Sequence, residues 1–370
     1  MRLVTVLGGY GVFGSRIASA LAQHPDTRVR VVGRDAQAGA AFADRIGAEF
    51  RACDVTDIES LRRSIEGSLI VIHTAGPFQG NDFRVAELCV DIGSHYLDIA
   101  DARAFVTRIG ALDEAARRRD LFVSSGVSTV PAVTYAMVNQ LRSDFLSIEE
   151  IQIAMSPGNQ NPRGASAIAA ILTYVGRPLR VQQHGQWTTC RGWGDARWVQ
   201  FPPPVGRRRV YNCDVPDLDL FPEAWGARTV RFQAGVQLNI INNALSGIAR
   251  LRRFFSMEWL HRCAPLFLKL SLLLSRFGSK NGSLAVWLRG AGLDGMPLER
   301  KIAIVTDNDG PAIPSSAAIV LAKKILDVGP PRAGAVPCMG FVTLDELAAY
   351  LRQFGVWIVR GDQRGWESHL

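Results

Sequence analysis

The chain has 370 residues, 48% of them hydrophobic and 21% charged, which is typical of a folded protein and long enough for two domains. Lys and Arg outnumber Asp and Glu by 42 to 34, which gives a net charge of +8. The basic residues are dispersed, without zinc-finger spacing, an RNP-like aromatic motif or a basic tail. We therefore expect no nucleic acid partner and interpret the charge as an attraction for anionic substrates or lipid surfaces.

The cysteines and the N-terminus predict a cytoplasmic protein. The cysteines are Cys53, Cys89, Cys190, Cys213, Cys263 and Cys338. No two of them form a C-x-x-C pair, which argues against a metal site and against a disulfide framework. The chain runs almost directly into a predicted strand and lacks the charged and apolar regions of a signal peptide.

The first predicted element is a strand at residues 4–7, followed by a glycine-rich turn and a helix. Gly9, Gly11 and Gly14 follow the G-x-G-x-x-G spacing of a dinucleotide-binding turn. Gly9 allows a tight turn, Gly11 lets the backbone approach a pyrophosphate, and Gly14 lets the helix pack close to the strand. The alternative is an ordinary glycine-rich turn. The predicted cofactor contacts in this turn are Gly9, Tyr10, Gly11, Val12, Phe13 and Gly14.

The second predicted strand, residues 28–32, ends in Gly33-Arg34-Asp35. Arg34 lies twenty positions beyond Gly14, where an acidic residue would bind the ribose 2′-hydroxyl of NAD and an arginine would accommodate the 2′-phosphate of NADP. Arg34 therefore favours NADP, although Asp35 beside it keeps NAD open. The alternative is that Arg34 is a solvated loop residue.

The third predicted strand, residues 49–53, leads into Asp54. Asp54 has two interpretations of equal weight. It lies beside the adenine of a bound nucleotide, or it caps the helix that starts near Ile58.

Strands and helices continue to alternate to about residue 130, which requires parallel strands joined by crossover helices. The sequence thus predicts an α/β fold with a doubly wound Rossmann sheet. The loop after the fourth strand lies at the carboxyl end of the sheet, where ligands bind, and we expect Ala75, Gly76 and Pro77 to border the nicotinamide ribose. The remaining predicted strands are residues 68–73, 95–100 and 121–125, and the helices are residues 40–46, 82–92 and 105–117.

Five residues near the same edge are candidate proton donors, namely His73, His95, Tyr96, Asp98 and Asp101, and of these we select His73, Tyr96 and Asp98. Each also has a structural interpretation, because a histidine at a strand end can be packed in the core and Asp98 can bridge loops. No G-x-S-x-G or H-E-x-x-H motif is present, which argues against a hydrolase and against a metalloenzyme.

From Ile148 the pattern changes to short strands and long loops, which predicts an α+β domain with a mixed, largely antiparallel sheet. Examples are the predicted strands at residues 150–155 and 181–189 and a helix at residues 165–175. Arg207, Arg208 and Arg209 either bind an anion or form a solvated loop.

Residues 254–277 combine Phe, Trp and Leu with basic residues. This composition suits a peripheral membrane contact, and the alternative that we favour is a helix pair buried in the domain or in a dimer interface. The apolar run at residues 264–274 is shorter than the roughly 20 residues that span a bilayer. A predicted strand at residues 356–359 is expected to pack back on the first domain.

Four motifs in order resemble the saccharopine dehydrogenase-like oxidoreductases over residues 3–135. They are the turn at residues 9–14, the loop at residues 74–78, His95-Tyr96-Leu97-Asp98, and Gly126 followed by Val130-Pro131-Ala132. The resemblance implies an NAD(P)-binding Rossmann domain at residues 1–134 with a C-terminal return at residues 338–370. It also implies a substrate and dimerisation domain at residues 135–337, and hence a homodimer.

The resemblance further implies an NADP-dependent oxidoreductase that transfers a hydride to or from a C=N bond of a small-molecule substrate. Saccharopine reductases act on small charged amino acids, for which the apolar stretch at residues 266–274 is unusual. Two alternatives therefore stay open. One is a reductase of a C=C bond in an apolar or lipid-linked substrate, and the other is a catalytically silent nucleotide-binding scaffold.

Overall fold

The computed structural model describes residues 1–80 and 82–367. The strands are β1 (Arg2–Leu7), β2 (Thr27–Gly33), β3 (Glu49–Ala52), β4 (Ile70–His73), β5 (His95–Asp98), β6 (Phe122–Ser125), β7 (Phe145–Ser156), β8 (Pro178–Gln183), β9 (Gln186–Arg191), β10 (Arg197–Gln200), β11 (Arg207–Asn212), β12 (Thr229–Ala234), β13 (Gly282–Gly292), β14 (Pro297–Thr306), β15 (Gly334–Pro337), β16 (Val356–Asp362) and β17 (Gly365–Trp366). The α-helices are α1 (Gly14–Ala22), α2 (Ala36–Ile46), α3 (Ile58–Ile65), α4 (Arg84–Ile92), α5 (Arg103–Thr107), α6 (Asp113–Arg118), α7 (Thr134–Arg142), α8 (Ala165–Tyr174), α9 (Asp217–Trp225), α10 (Asn239–Leu251), α11 (Ala264–Leu273), α12 (Ala312–Val328) and α13 (Leu344–Leu351).

The chain contacts divide these elements between two units. Unit 1 comprises residues 1–133 and 311–347, and unit 2 comprises residues 134–310 together with the segment that begins at residue 348.

Unit 1 is built on a seven-stranded sheet in the order β15-β6-β5-β4-β1-β2-β3, and all of its strand pairs are parallel. The apolar face of α1, with Ile17, Ala18 and Leu21, is fully buried against this sheet. The predicted doubly wound Rossmann sheet is thereby confirmed.

The return to unit 1 occurs earlier than the sequence analysis predicted. Helix α12 packs on α1, where the Ser315 hydroxyl lies 3.5 Å from the Phe13 carbonyl oxygen, and β15 adds to the edge of β6. The expected return at residues 338–370 is wrong beyond residue 347, because β16 instead pairs antiparallel with β14 in unit 2. A short apolar strand does not specify which open sheet edge it joins.

Unit 2 contains an eight-stranded sheet in the order β10-β11-β12-β7-β13-β14-β16-β17. Its strand pairs are antiparallel except for β12 with β7, which confirms the predicted mixed, largely antiparallel sheet. The strand predicted at residues 181–189 is instead the hairpin of β8 and β9, because His184 and Gly185 turn the chain with φ of 51° and 80°.

Residues 254–277 form a turn, a short 3-10 helix at Glu258–Cys263 and α11, and apart from Leu260 and Ala264 they are not buried in the domain as expected. Within α11, all of which the structure describes, Ala264 alone is buried. The alternative of a helix pair inside the domain is therefore wrong, and an interface or a membrane surface remains. None of the helices in residues 1–80 and 82–367 has the length and apolarity needed to cross a bilayer.

Candidate functional site

The candidate site lies where the strand order of unit 1 reverses, between β1 and β4. Leu7 and His73, the last residues of these strands, are register partners. In open parallel sheets, ligands bind in the crevice outside the carboxyl ends of the strands at such a reversal. The glycine-rich turn follows β1 and the loop at residues 74–78 follows β4, so the fold brings two predicted cofactor segments to one place.

The glycine-rich turn is tight at one end and open in the middle. A Cβ on Gly14 would lie 2.2 Å from the Gly8 carbonyl oxygen and 2.6 Å from Thr74 Oγ1, so a glycine is required for α1 to approach the sheet. A Cβ on Gly11 would lie 3.2 Å from the Gly8 oxygen. Apart from the two residues next to Gly11 in the chain, no other atom of the described residues would lie within 4 Å of it. The backbone at Gly11 is thus accessible to a ligand.

The residue that makes the tight turn is Gly8, and the expectation that Gly9 makes it is wrong. Gly8 has φ of 74°, a left-handed conformation that favours glycine, whereas Gly9 is outside that region. Gly9 is needed for packing, because its Cβ would lie 2.9 Å from the Val6 oxygen and 3.1 Å from Val31 Cγ1. The first glycine of the G-x-G-x-x-G motif, Gly9, therefore comes one residue after the glycine that turns the chain.

The N-terminus of helix α1 is suited to binding an anion. Phe13 precedes the helix, and among the described residues no side chain caps it; the first turn also contains no acidic residue. The first N–H groups of a helix have no partner within the helix, and the helix dipole favours negative charge there. The open backbone at Gly11 and the uncapped start of α1 therefore fit the pyrophosphate of a dinucleotide.

Tyr10 extends from the glycine-rich turn to the end of β2. Its ring covers Gly33 so closely that a Cβ on Gly33 would lie 2.3 Å from Tyr10 Cε1. Its hydroxyl accepts a hydrogen bond from the Asp35 backbone N–H at 2.8 Å. Its ring packs edge-on against Phe50, with the ring centroids 6.5 Å apart. Tyr10 thus connects the turn to the segment predicted to select between NADP and NAD, a contact that the motif spacing alone did not reveal.

Arg34 and Asp35 are both exposed, but their side chains make different contacts. The Asp35 carboxylate caps α2 by accepting a hydrogen bond from the Ala38 N–H at 3.0 Å. The Arg34 guanidinium lies near Asp54 and contributes to lowering the pKa of that carboxyl group. The arginine is therefore exposed at the end of β2, and the aspartate is also exposed but uses one oxygen to cap the helix.

Asp54 does not cap the following helix, so that alternative is wrong. Its carboxylate accepts hydrogen bonds from the Thr56 N–H at 3.0 Å and the Thr56 hydroxyl at 2.9 Å, and these bonds are the main reason why its pKa is lowered. The cap of α3 is Asp57, which accepts a hydrogen bond from the Ser60 N–H at 3.1 Å. Asp54 remains at the carboxyl edge of the sheet, beside Arg34.

The loop after β4 is anchored at Thr74 and Phe78, and the residues between these two are accessible. The Thr74 hydroxyl donates to the Leu7 carbonyl oxygen at 2.7 Å, and Phe78 is buried against His73, with ring centroids 4.9 Å apart. Between these anchors Ala75 and Gly76 are half-buried and Pro77 is exposed. The three predicted ribose contacts thus form the accessible part of the loop.

The three candidate proton donors lie together beneath this loop. His73 Nδ1 is 3.1 Å from the Tyr96 hydroxyl, and Tyr96 in turn contacts the Asp98 carboxyl group. All three side chains are buried. Burial lowers the pKa of His73 to about 4 and raises the pKa of Tyr96, so both are neutral at pH 7.

Asp98 joins the ends of two strands. One of its oxygens accepts hydrogen bonds from the Ala100 N–H at 2.9 Å, the Ser125 hydroxyl at 2.9 Å and the Gly126 N–H at 3.0 Å. Burial raises the pKa of Asp98 to about 6, and these bonds, together with Tyr96, limit the rise. Of the two interpretations of Asp98, the contacts match the one in which it bridges loops.

In unit 2, the three consecutive arginines do not converge on one site. Arg207 stacks on Trp198 at 4.8 Å, whereas Arg209 stacks on Tyr211 at 5.5 Å and donates to Asn243 at 3.1 Å. A cavity of about 380 Å³ lies on the same sheet, beside Trp198. Three tryptophans and a lysine line it, namely Trp198, Trp287, Trp366 and Lys301. These residues come from four strands, and no sequence motif joins them.

Comparison with known proteins gives a family-model match for the first part of the chain and a similar fold for nearly all of it. Residues 4–139 match the saccharopine dehydrogenase NADP binding domain. The chain is similar in structure to the L-Glu-forming saccharopine dehydrogenase of Saccharomyces cerevisiae, with a TM-score of 0.71, 14% identity, and 98% of this chain and 100% of that chain covered. It is also similar to a homospermidine synthase of Legionella pneumophila, solved with NAD, with a TM-score of 0.63, 12% identity, and 98% and 92% covered. No curated protein matches the chain.

Proposed function

We propose that this chain, whose residues 4–139 belong to the saccharopine dehydrogenase NADP-binding domain family, is an oxidoreductase that transfers a hydride between NADP(H) and a C=N bond. The observation that carries the proposal is the glycine-rich turn, open at Gly11 and facing the uncapped start of α1 at the reversal of a Rossmann sheet. The fold shared with a saccharopine dehydrogenase over nearly the whole chain supports C=N rather than another bond.

The cofactor itself supplies or accepts the hydride, and the chain binds and orients it. We assign the pyrophosphate to the turn from Gly9 to Gly14 and the 2′-phosphate to Arg34. We favour NADP over NAD because the Arg34 guanidinium is exposed at the end of β2, whereas one oxygen of the Asp35 carboxylate caps α2. Asp54 lies on the adenine side, and Ala75, Gly76 and Pro77 border the nicotinamide ribose.

We assign His73, Tyr96 and Asp98 to the catalytic region as positioning residues. Their burial keeps them from bulk solvent, and their contacts hold the loops that follow β4, β5 and β6. His73 supports Phe78, and Asp98 fixes the backbone at Gly126. We expect substitutions here to change turnover by moving the loops rather than by removing a proton donor.

We also propose that the two units have different functions. Unit 1 corresponds to the nucleotide-binding domain, and unit 2 supplies the substrate and dimerisation domain of a homodimer. The support is the sheet in each unit and the fold shared with the two solved enzymes.

A second candidate is the reduction of a C=C bond in an apolar or lipid-linked substrate. The observation that favours it is the apolar segment at residues 254–277, which is exposed and rich in basic residues. We accordingly propose a cytoplasmic protein with a peripheral membrane contact through this segment.

Turnover assays with several substrate classes separate these possibilities. Purified protein is given NADPH with soluble imines, with enals and with lipid-linked enones, and absorbance at the nicotinamide band is followed. We expect consumption with imines, and consumption with enones alone would replace the C=N proposal with the C=C one. NADPH binding without turnover on any substrate would indicate a silent scaffold.

A further inference from the structure

The most unusual surface of unit 2 is an apolar patch on the segment that follows α10. The exposed fraction is 76% for Phe254, 62% for Phe255 and 70% for Leu273. Large contiguous apolar surfaces are rare on soluble monomers and mark interaction sites. The apolar patch consists of Phe254, Phe255, Trp259, Leu266, Leu270, Leu272, Leu273 and Phe277.

The segment is held in place at both ends, so the patch is a fixed surface. At the start, the Arg252 guanidinium is buried and donates to the carbonyl oxygens of Leu172, Thr173 and Val175, at the C-terminal end of α8. At the end, the Asn159 amide donates to the carbonyl oxygens of Leu274 and Phe277 at 2.7 and 2.8 Å. These contacts use the backbone and leave the apolar side chains facing outward.

The charge around the patch is strongly positive. Residues 250–280 contain seven Lys and Arg and a single acidic residue, Glu258. Glu258 is already paired with Arg177 and Arg252. The exposed basic residues are Arg250, Arg253, Arg262, Lys269, Arg276 and Lys280.

We infer that the apolar patch docks on an anionic lipid bilayer, with its Phe, Leu and Trp side chains in the interface and the basic residues on lipid phosphates. This inference rests on the membrane contact proposed above and specifies the lipid charge and the inserted residues. Apolar side chains ringed by Lys and Arg, with a Trp among them, are the composition of segments that lie in a membrane interface. Basic residues near such a surface add attraction to anionic lipids.

The charge argues against a second copy of the chain as the occupant. A two-fold symmetric interface places the same patch on both partners. The basic residues of one copy would then lie against a patch that is itself basic, with Glu258 as the sole acidic residue of the segment and already paired. An anionic surface has no such repulsion.

Vesicle co-sedimentation of the full chain tests the inference. We expect the protein to sediment with vesicles that contain phosphatidylglycerol, at least tenfold more than with pure phosphatidylcholine, and added salt to release it. The Leu270→Asp/Leu273→Asp variant should lose this binding. The Leu146→Asp/Leu293→Asp variant is a matched control, because both leucines are exposed elsewhere in unit 2 and the charge change is identical.

The result that overturns the inference is a wild-type protein that stays in the supernatant with anionic vesicles, or equal binding by both variants. If the Leu270→Asp/Leu273→Asp change instead converts a dimer to a monomer in sedimentation velocity without affecting lipid binding, the patch is an interface between copies. NADPH titration and imine turnover on the same preparations show whether a failure concerns the membrane surface or the proposed enzyme.

Discussion

The backbone N–H of Asp35 donates a hydrogen bond to the Tyr10 hydroxyl at 2.8 Å, and so joins the glycine-rich turn to the end of the second strand. The Tyr10 ring rests on Gly33, where even a methyl group would lie 2.3 Å from it. The two segments that we assign to the pyrophosphate and the 2′-phosphate are thus mechanically coupled through one tyrosine.

The first prediction follows from that contact. Gly33→Ala should displace the Tyr10 ring and weaken NADPH binding severalfold. In a Tyr10→Ala background the same change should cost much less, since the space has been vacated. NADPH fluorescence titrations of the two single variants and the double variant measure the coupling. Additive effects of the two substitutions would contradict the contact.

The second prediction separates binding from folding within the glycine-rich turn. Gly11→Val places its side chain on the accessible side of the turn, where its Cβ meets only the Gly8 oxygen at 3.2 Å, so it should abolish NADPH binding and lower the melting temperature much less than Gly14→Ala does. Gly14→Ala places a methyl group 2.2 Å from a backbone oxygen and should destabilise the fold by roughly 1–3 kcal/mol. Thermal melts and NADPH titrations of both variants are the measurement. Retained NADPH affinity in a folded Gly11→Val protein would remove the pyrophosphate assignment.

The third prediction concerns the choice of cofactor. Arg34→Asp should weaken NADPH binding by about tenfold or more and affect NADH little, because only the former has the 2′-phosphate that a guanidinium recognises. Arg332→Asp, at another exposed loop of unit 1, is the control for the general loss of positive charge. Equal losses in both variants would mean that net charge, and not a contact of Arg34, sets the affinity.

The fourth prediction is a pH dependence that arises from Asp98. Burial raises its pKa from the ordinary value of 3.8 to about 6 in the folded protein, so between these values the folded state binds more protons than the unfolded state. Stability from this group is therefore present at low pH and is lost as the pH rises toward 6. Asp98→Asn keeps an oxygen for the hydrogen bonds but removes the titration.

We therefore expect the stability of Asp98→Asn relative to the wild type to rise by roughly 1–2 kcal/mol between pH 5 and pH 8. His73 titrates in both proteins and cancels in the difference. Urea unfolding followed by far-ultraviolet circular dichroism suits this test, since all eight tryptophans lie in unit 2 and do not report on unit 1. A difference that does not change with pH would contradict the raised pKa.

Local patterns predicted the elements of unit 1 because each depends on neighbours in sequence. The apolar face of α1 and the alternation of strands and helices specified a parallel sheet before any contact was known. Details that depend on distant residues were not predictable. Gly8, which takes the left-handed conformation, packs against the loop at Ala75, 67 residues later, so that a Cβ on Gly8 would lie 3.1 Å from the Ala75 nitrogen.

The same limit explains the errors at Asp54 and at the C-terminus. Asp54 and Asp57 are both suitable caps by type, and the backbone path at Thr56 decides between them. Strand β16 carries an apolar pattern that suits either sheet, and the open edge of β14 determines its partner. The exposed side chains of α11 have the composition of a buried helix, so only the structure distinguishes the two environments.

The placement of α12 and β15 determines the order in which a newly synthesised protein can fold. Eleven residues of α12 are buried, and this helix covers α1, yet it leaves the ribosome some 290 residues after that helix. Until α12 and β15 have been synthesised, the nucleotide-binding part of unit 1 has an uncovered face on α1 and an unpaired strand edge at β6. Fragments that stop before residue 311 should accordingly aggregate or require chaperones, whatever their sequence match to the family.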